Sequence, residues 1–411
     1  MAWDTRGKQP SPACCTGHRV SQVIARPARP PLWLAAAATA AGWGAVYSVG
    51  RWILLFILHP IHEDVRITYV AAEAGLRYGW PHIYDLATLQ SLSNGFPSGQ
   101  NTITSSATYI NPPLWAWLFV PLTAVSEPAA YALWALLSLV ALVYAWHVAA
   151  PYARFAKYTL LLAALALWPV NDAFYRGQPS IIILALVVVA WKLCRDDRPV
   201  AAGVALAFAT ALKPQAAILV PVALLVSGRY RPVVGWVAGS AVLGVATIIA
   251  IGPSGLVSWW QALEYVQSDI SHTYFTLAYL FGLGPVTYAL LAIQGAVALA
   301  IAWRHRANID VVFAAGLLGS LGTSFHLHVY DYSGLVLAAW LVLRTAPPRW
   351  HRLWLLAGVL TMQALPLGLP VPQLAWDAAW LLILLFSSFA GSGASTPATR
   401  PASGSAVREG T

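Results

Sequence analysis

The chain has 411 residues, of which 59% are hydrophobic and only 9% charged. An ordinary soluble domain carries about 25% charged residues, so one aqueous core cannot hide this much apolar surface and a soluble globular protein is excluded. The net charge of +9 does not indicate nucleic acid; in a membrane protein it belongs with lysines and arginines gathered on the cytoplasmic side.

Residues 1–31 are polar, Pro-rich and basic, with Arg6, Lys8, Arg19, Arg26 and Arg29 against Asp4. They are expected to form a disordered cytoplasmic tail. The run Leu32–Leu58 follows with Arg51 as its only charge, long enough to cross a hydrocarbon core that needs about 20 apolar residues. No small-residue cleavage site is evident, so it reads as an uncleaved first span. Further candidate spans are 128–149, 159–174, 178–194, 199–212, 214–227, 232–252, 285–303, 309–325, 330–344, 353–369 and 372–389. The expected fold class is therefore an all-α polytopic membrane protein of about 12 transmembrane helices, one domain over 32–389. The tail 390–411 is rich in Gly, Ser, Ala and Thr and is expected to be disordered.

Basic clusters orient these spans. Arg154/Lys157, Lys192/Arg195/Arg198, Arg229/Arg231, Arg304/Arg306 and Arg344/Arg349/Arg352 join both tails on one side, which takes most of the 24 lysines and arginines. The positive-inside rule makes that side the cytoplasm and places both termini there, as in a multi-pass plasma-membrane protein. Pro112–Val125 must then not cross; it would reach only about 21 Å and reads as an outer juxtamembrane helix. The large outer loop 59–127 and a second outer loop near 253–284, which holds Glu264 and Asp269, are where a site is expected, since long structured loops are usually functional.

The first loop has internal order. Val65, Tyr69, Ala72 and Leu76 share one helical face, and Arg66, Glu73 and Arg77 another, so an amphipathic helix in the interface plane is expected. Gly79, Trp80 and Pro81 end it. Asp85 can cap a second helix, Leu86–Ser93, before the Asn94-Gly95 turn. The three cysteines, Cys14, Cys15 and Cys194, indicate no disulfide framework.

Five patterns in order resemble glycosyltransferase family 87, within the GT-C superfamily. They are DVRITYVAAEAGLRYGWPHIYD from Asp64 to Asp85, YINPPLWAWLFVPL from Tyr109 to Leu122, Gly177-Gln178, Lys213-Pro214, and HVYD from His328 to Asp331. The chain departs from the pattern with Val65 after the first aspartate and Pro179-Ser180 after the Gly-Gln pair. The resemblance implies a GT-C-like bundle and sugar transfer with inversion from a polyprenyl-phosphate donor, commonly of mannose, on the outer side. A lipid or glycan would be the acceptor and membrane lipids the surroundings.

Asp64 is the first candidate site residue. It follows a span directly, and inverting transfer needs a base for the acceptor hydroxyl; a helix N-cap is the plainer role, and Glu63 is its neighbouring rival. Lys213 comes at a hairpin tip, since Pro214 disfavours helix before it. At such depth a cation usually lines a polar cavity and could meet the departing phosphate, or else it snorkels to the interface. His326, His328 and Asp331 share another outer turn. Metal ligation there is a weak reading; phosphate or acceptor contact is stronger. Gln178, Arg66 and Arg176 are further substrate-binding candidates, the arginines having head-group contact as the plainer alternative. No DxD, P-loop or dinucleotide fingerprint is present, so no metal and no cofactor is expected. The rival readings are a secondary transporter, which would show matching broken segments in two halves, and a same-fold pentosyl (arabinofuranosyl) transferase.

Overall fold

The computed structural model describes residues 30–58, 63–94, 103–104, 107–268 and 273–389. The two terminal tails as far as residue 29 and from residue 390, Gly95, Asp269 and the side chain of Glu63 lie outside the described residues. The described residues contain helices and no strand. In chain order they are α1 Leu32–Leu58, α2 Glu63–Tyr78, α3 Leu86–Asn94, α4 Pro113–Phe119, α5 Glu127–Ala149, α6 Arg154–Ala166, α7 Trp168–Arg176, α8 Ser180–Arg195 and α9 Pro199–Leu212. There follow α10 Pro214–Ala217, α11 Leu219–Val226, α12 Tyr230–Ser268, α13 Leu277–Phe281, α14 Pro285–Arg304, α15 Ile309–Gly322, α16 Gly334–Arg344, α17 Arg349–Ala364 and α18 Pro370–Phe386.

Burial sorts these helices into an inner and an outer set. Every residue of α15 from Val311 to Leu321 is buried, as are most of α8, α9 and α16. In contrast α1, α12 and α14 turn large apolar side chains outward, among them Trp43, Val46, Val242, Ile249 and Ile293. A helix apolar all round that is exposed in the fold needs an apolar solvent. The protein is a membrane protein.

Among the described residues four helices are long and apolar enough to cross a bilayer: α1, α5, the body of α12 and α14. α7 and α8 form a fifth span if taken together, but they meet at a bend of 114°. The helices α9, α15 and α18 are apolar yet only 14 to 17 residues long; at about 1.5 Å per residue even the longest falls short of a hydrocarbon core of about 30 Å. Helix length alone therefore does not establish about 12 crossings. Two expected spans are also broken. The stretch 159–174 divides at Leu167, whose extended backbone separates α6 from α7, and 214–227 divides into α10 and α11. The span expected to end at residue 252 continues as α12 to Ser268 across a kink at Gly252, with φ 61° and ψ −177°. Only glycine adopts that conformation readily.

The segments after α1 follow their local signals. α2 stops where Gly79 takes φ 94°, and Asp85 caps α3 through Ala87 N–H, 3.3 Å, and Thr88 Oγ1, 2.5 Å. Pro112–Val125 forms α4 and a short 3-10 turn, Val120–Ala124, too short to cross. The amphipathic pattern of α2 does not translate into an open polar face over its first half. Val65 to Ala72 are buried without interruption, Arg66 and Thr68 included, because α4, α5 and α7 pack around the helix. Arg66 can be buried there because Glu127 of α5 meets its Nε at 2.8 Å.

Candidate active site

The site is built on helix ends. α7 is a nine-residue platform pinned on its far side. Asn171 donates from Nδ2 to Ser48 O of α1 at 2.9 Å, and the Tyr131 hydroxyl of α5 donates to Tyr175 O at 2.7 Å. Gly177 ends the platform with φ 65°, and the Trp134 indole N–H donates to its carbonyl at 2.8 Å. A Cβ on Gly177 would stand 2.2 Å from Val65 Cγ2, so the glycine is required both for the left-handed turn and for α2 to come this close. That approach carries Asp64 to the platform: Gln178 Nε2 donates to Asp64 Oδ2 at 2.9 Å.

Opposite stands the turn before α16. His328 N–H donates to Asp331 Oδ2 at 2.9 Å, which closes a 3-10 turn over Val329–Ser333. The His328 ring stacks on Tyr330 with centroids 5.1 Å apart, and the His326 ring meets it edge-on, also at 5.1 Å. Lys213 sits at the break between α9 and α10, as expected, but it is only 5% exposed. Its Nζ lies 2.5 Å from Asp331 Oδ1 and 4.3 Å from the Tyr330 ring centre.

Between platform and turn lies a cavity of about 310 Å³, lined by Trp168, Asp172, Arg176, Phe275, His328 and Gly368 among others. Asp172 accepts from Arg176 Nε at 3.3 Å within it. Asp64, Asp172, Arg176 and Tyr330 act on one another electrostatically, and Asp331 acts on Asp172 and Tyr330. Away from the cavity, burial pushes the hydroxyls of Tyr84 and Tyr109 well above the usual tyrosine range, so both stay neutral donors. They hold the first loop together through Asn111 O at 2.9 Å and Pro112 O at 2.8 Å.

The structure thus brings Asp64, Gln178, Lys213, His326, His328 and Asp331 into two facing clusters. Arg66 is placed elsewhere: the residue is buried, 1% exposed, and its guanidinium pairs with Glu127. Asp172 was not singled out from the sequence. A signal was there: a carboxylate inside an apolar run with an arginine four residues on, the helical spacing of an ion pair. Among the described residues no group of three or more His, Cys, Asp or Glu is placed to hold a metal ion.

No curated protein and no solved structure matches the chain. The model of glycosyltransferase family 87 matches residues 109–327, more than half of the chain and the stretch that contains Asp172, Arg176, Gln178, Lys213 and His326. The chain belongs to glycosyltransferase family 87, and the protein is a membrane glycosyltransferase.

Proposed function

We propose that the enzyme transfers a sugar, most simply a hexose such as mannose, from a polyprenyl-phosphate donor to an acceptor hydroxyl on a lipid or glycan, with inversion. The reaction takes place at the outer face of the plasma membrane, in a GT-C-like bundle of about 12 crossings with both termini cytoplasmic. The observation that supports this is the contact of Gln178 with Asp64. It holds a carboxylate that follows the first span within electrostatic reach of Asp172 and Arg176, which line the cavity together with His328.

The donor enters sideways from the bilayer. The acceptor oxygen attacks the anomeric carbon on the face opposite the phosphate, and the acceptor proton passes to Asp64. The carbon–oxygen bond to phosphate breaks, and its electron pair leaves with the polyprenyl phosphate. A single displacement inverts the anomeric configuration. Gln178 fixes the carboxylate for this attack. His328 faces the leaving phosphate, while Lys213 and Asp331, paired with each other, hold its turn in place.

Incubating the purified protein with a panel of polyprenyl-phosphate sugars tests the reading. Polyprenyl phosphate should be released from a hexosyl donor when an acceptor is present. Release from a pentosyl donor alone would make the enzyme an arabinofuranosyl-type transferase. Release from none would refute the lipid-linked donor.

A further inference from the structure

Among the described residues two cations stand near the site, and one of them is presented to the cavity. Lys213 is buried and committed to Asp331 and to the face of Tyr330. Arg176 lines the cavity with its side chain 40% exposed. Among the described residues its hydrogen bonding is a single contact from Nε to Asp172 at 3.3 Å; its terminal nitrogens hold none. The guanidinium is a planar fork of five donors, suited to two parallel bonds with a phosphate. One long contact leaves most of that capacity unused. Asp172 in turn is anchored, its side chain 11% exposed, on a platform fixed by Asn171 and Tyr131.

We infer that Arg176, and not Lys213, is the receptor for the donor's phosphate, and that Asp172 is an internal anion which occupies the guanidinium until the phosphate displaces it. This rests on the proposed phosphate-bearing lipid donor. Asp172 keeps the arginine aimed into the cavity, so the fork is in place before binding and little is lost in ordering it. It also competes with the phosphate for the same cation. The two residues therefore have opposite effects on phosphate binding, which a purely structural ion pair would not give.

The test uses the full chain in nanodiscs of phosphatidylcholine, with farnesyl monophosphate as the probe and farnesol as its uncharged control. Arg176→Gln should weaken farnesyl monophosphate about tenfold or more, the effect of losing a charge-assisted bond, with farnesol unchanged. Arg176→Lys should lose less. Asp172→Asn keeps the size of the side chain but removes the competing charge, so it should bind the phosphate more tightly than the wild type. Equal losses in Asp172→Asn and Arg176→Gln would mark a mutual structural pair and overturn the inference, as would wild-type binding by Arg176→Gln. A parallel set of nanodiscs with phosphatidylglycerol separates the two sources of phosphate. Displacement of the probe by that lipid in the wild type but not in Arg176→Gln would assign the arginine to membrane head groups and also overturn it. A wild-type protein that does not distinguish farnesyl monophosphate from farnesol would instead refute the donor reading on which the inference stands.

Discussion

Asp64 and Gln178 were each legible in the sequence, but their meeting was not. They are 114 positions apart, and the 2.9 Å contact depends on how closely α2 approaches Gly177. Asp64 lies inside α2, one residue after its start at Glu63, so it is not the N-cap that its sequence position suggests. Asn has the same size and its amide oxygen can still accept from Gln178, so Asp64→Asn should fold and melt like the wild type while turnover falls by about 10² or more. Asp64→Glu should recover little, because the extra methylene misplaces the base. A folded Asp64→Asn protein with near wild-type turnover would return the role to Glu63. Burial decides the other residues, and a single sequence does not display it. Arg66 and Lys213 look alike as lone cations near span ends, yet one is buried against Glu127 and the other against Asp331. Removing one partner of a buried pair costs about 3–5 kcal/mol, whereas apolar replacement of both is often neutral. Lys213→Ala should therefore lower the melting temperature sharply in detergent, and Lys213→Met with Asp331→Leu should regain part of it, the His328 N–H bond to Asp331 staying lost. An unchanged melting temperature for Lys213→Ala would refute the clamp.

Elements with local punctuation were the legible ones. Gly79 stops α2 and Asp85 starts α3 through contacts within three residues, so nothing distant was needed to place them. The joint between α7 and α8 was harder. From 159 to 194 the apolar pattern continues on both sides of Gly177, and the sequence offers composition but no angle. What makes the 114° bend is the short break between the two helices, where Gly177 turns left-handed and Pro179 precedes α8. Gly177→Ala places an L-residue in the left-handed region, a cost of about 1–2 kcal/mol. It also drives a Cβ against Val65. The added strain should push α2, and Asp64 with it, away from Gln178. Turnover should then fall far more than the melting temperature. Adding Val65→Ala should restore part of the turnover, since it clears the space while leaving the dihedral cost. No restoration would mean that the turn, and not the approach of α2, is what the glycine protects.

At the scale of the molecule, composition alone established the solvent. The outward apolar surfaces of α1, α12 and α14 are the physical form of the 59% hydrophobic content. The number of crossings was not legible in the same way. Apolar runs are found where expected, but several are helices of 14 to 17 residues, and one of them, α15, is buried in protein and relieved of any need to match bilayer thickness. Charge then carries the topology. Reporter fusions after Arg231 and Arg306 should read cytoplasm and one after Gly95 the exterior. The same side for fusions at Gly95 and Arg154 would show that an odd number of crossings has been missed or added around Pro112–Val125.

The pairing of Lys213 with Asp331 also bears on biogenesis. Asp331 is synthesised roughly a hundred residues after Lys213, a delay on the order of ten seconds at about 5–20 residues per second. For that interval the hairpin of α9 and α10 must enter the membrane with a cation that has no counterion. The long aliphatic stem of lysine lets the ammonium wait at the water interface. It is drawn to its final depth only when the turn Val329–Ser333 delivers the carboxylate. The hairpin is thus inserted early and seated late, and a ribosome-held chain that ends before residue 331 should leave Lys213 open to amine-reactive reagents that the finished enzyme excludes.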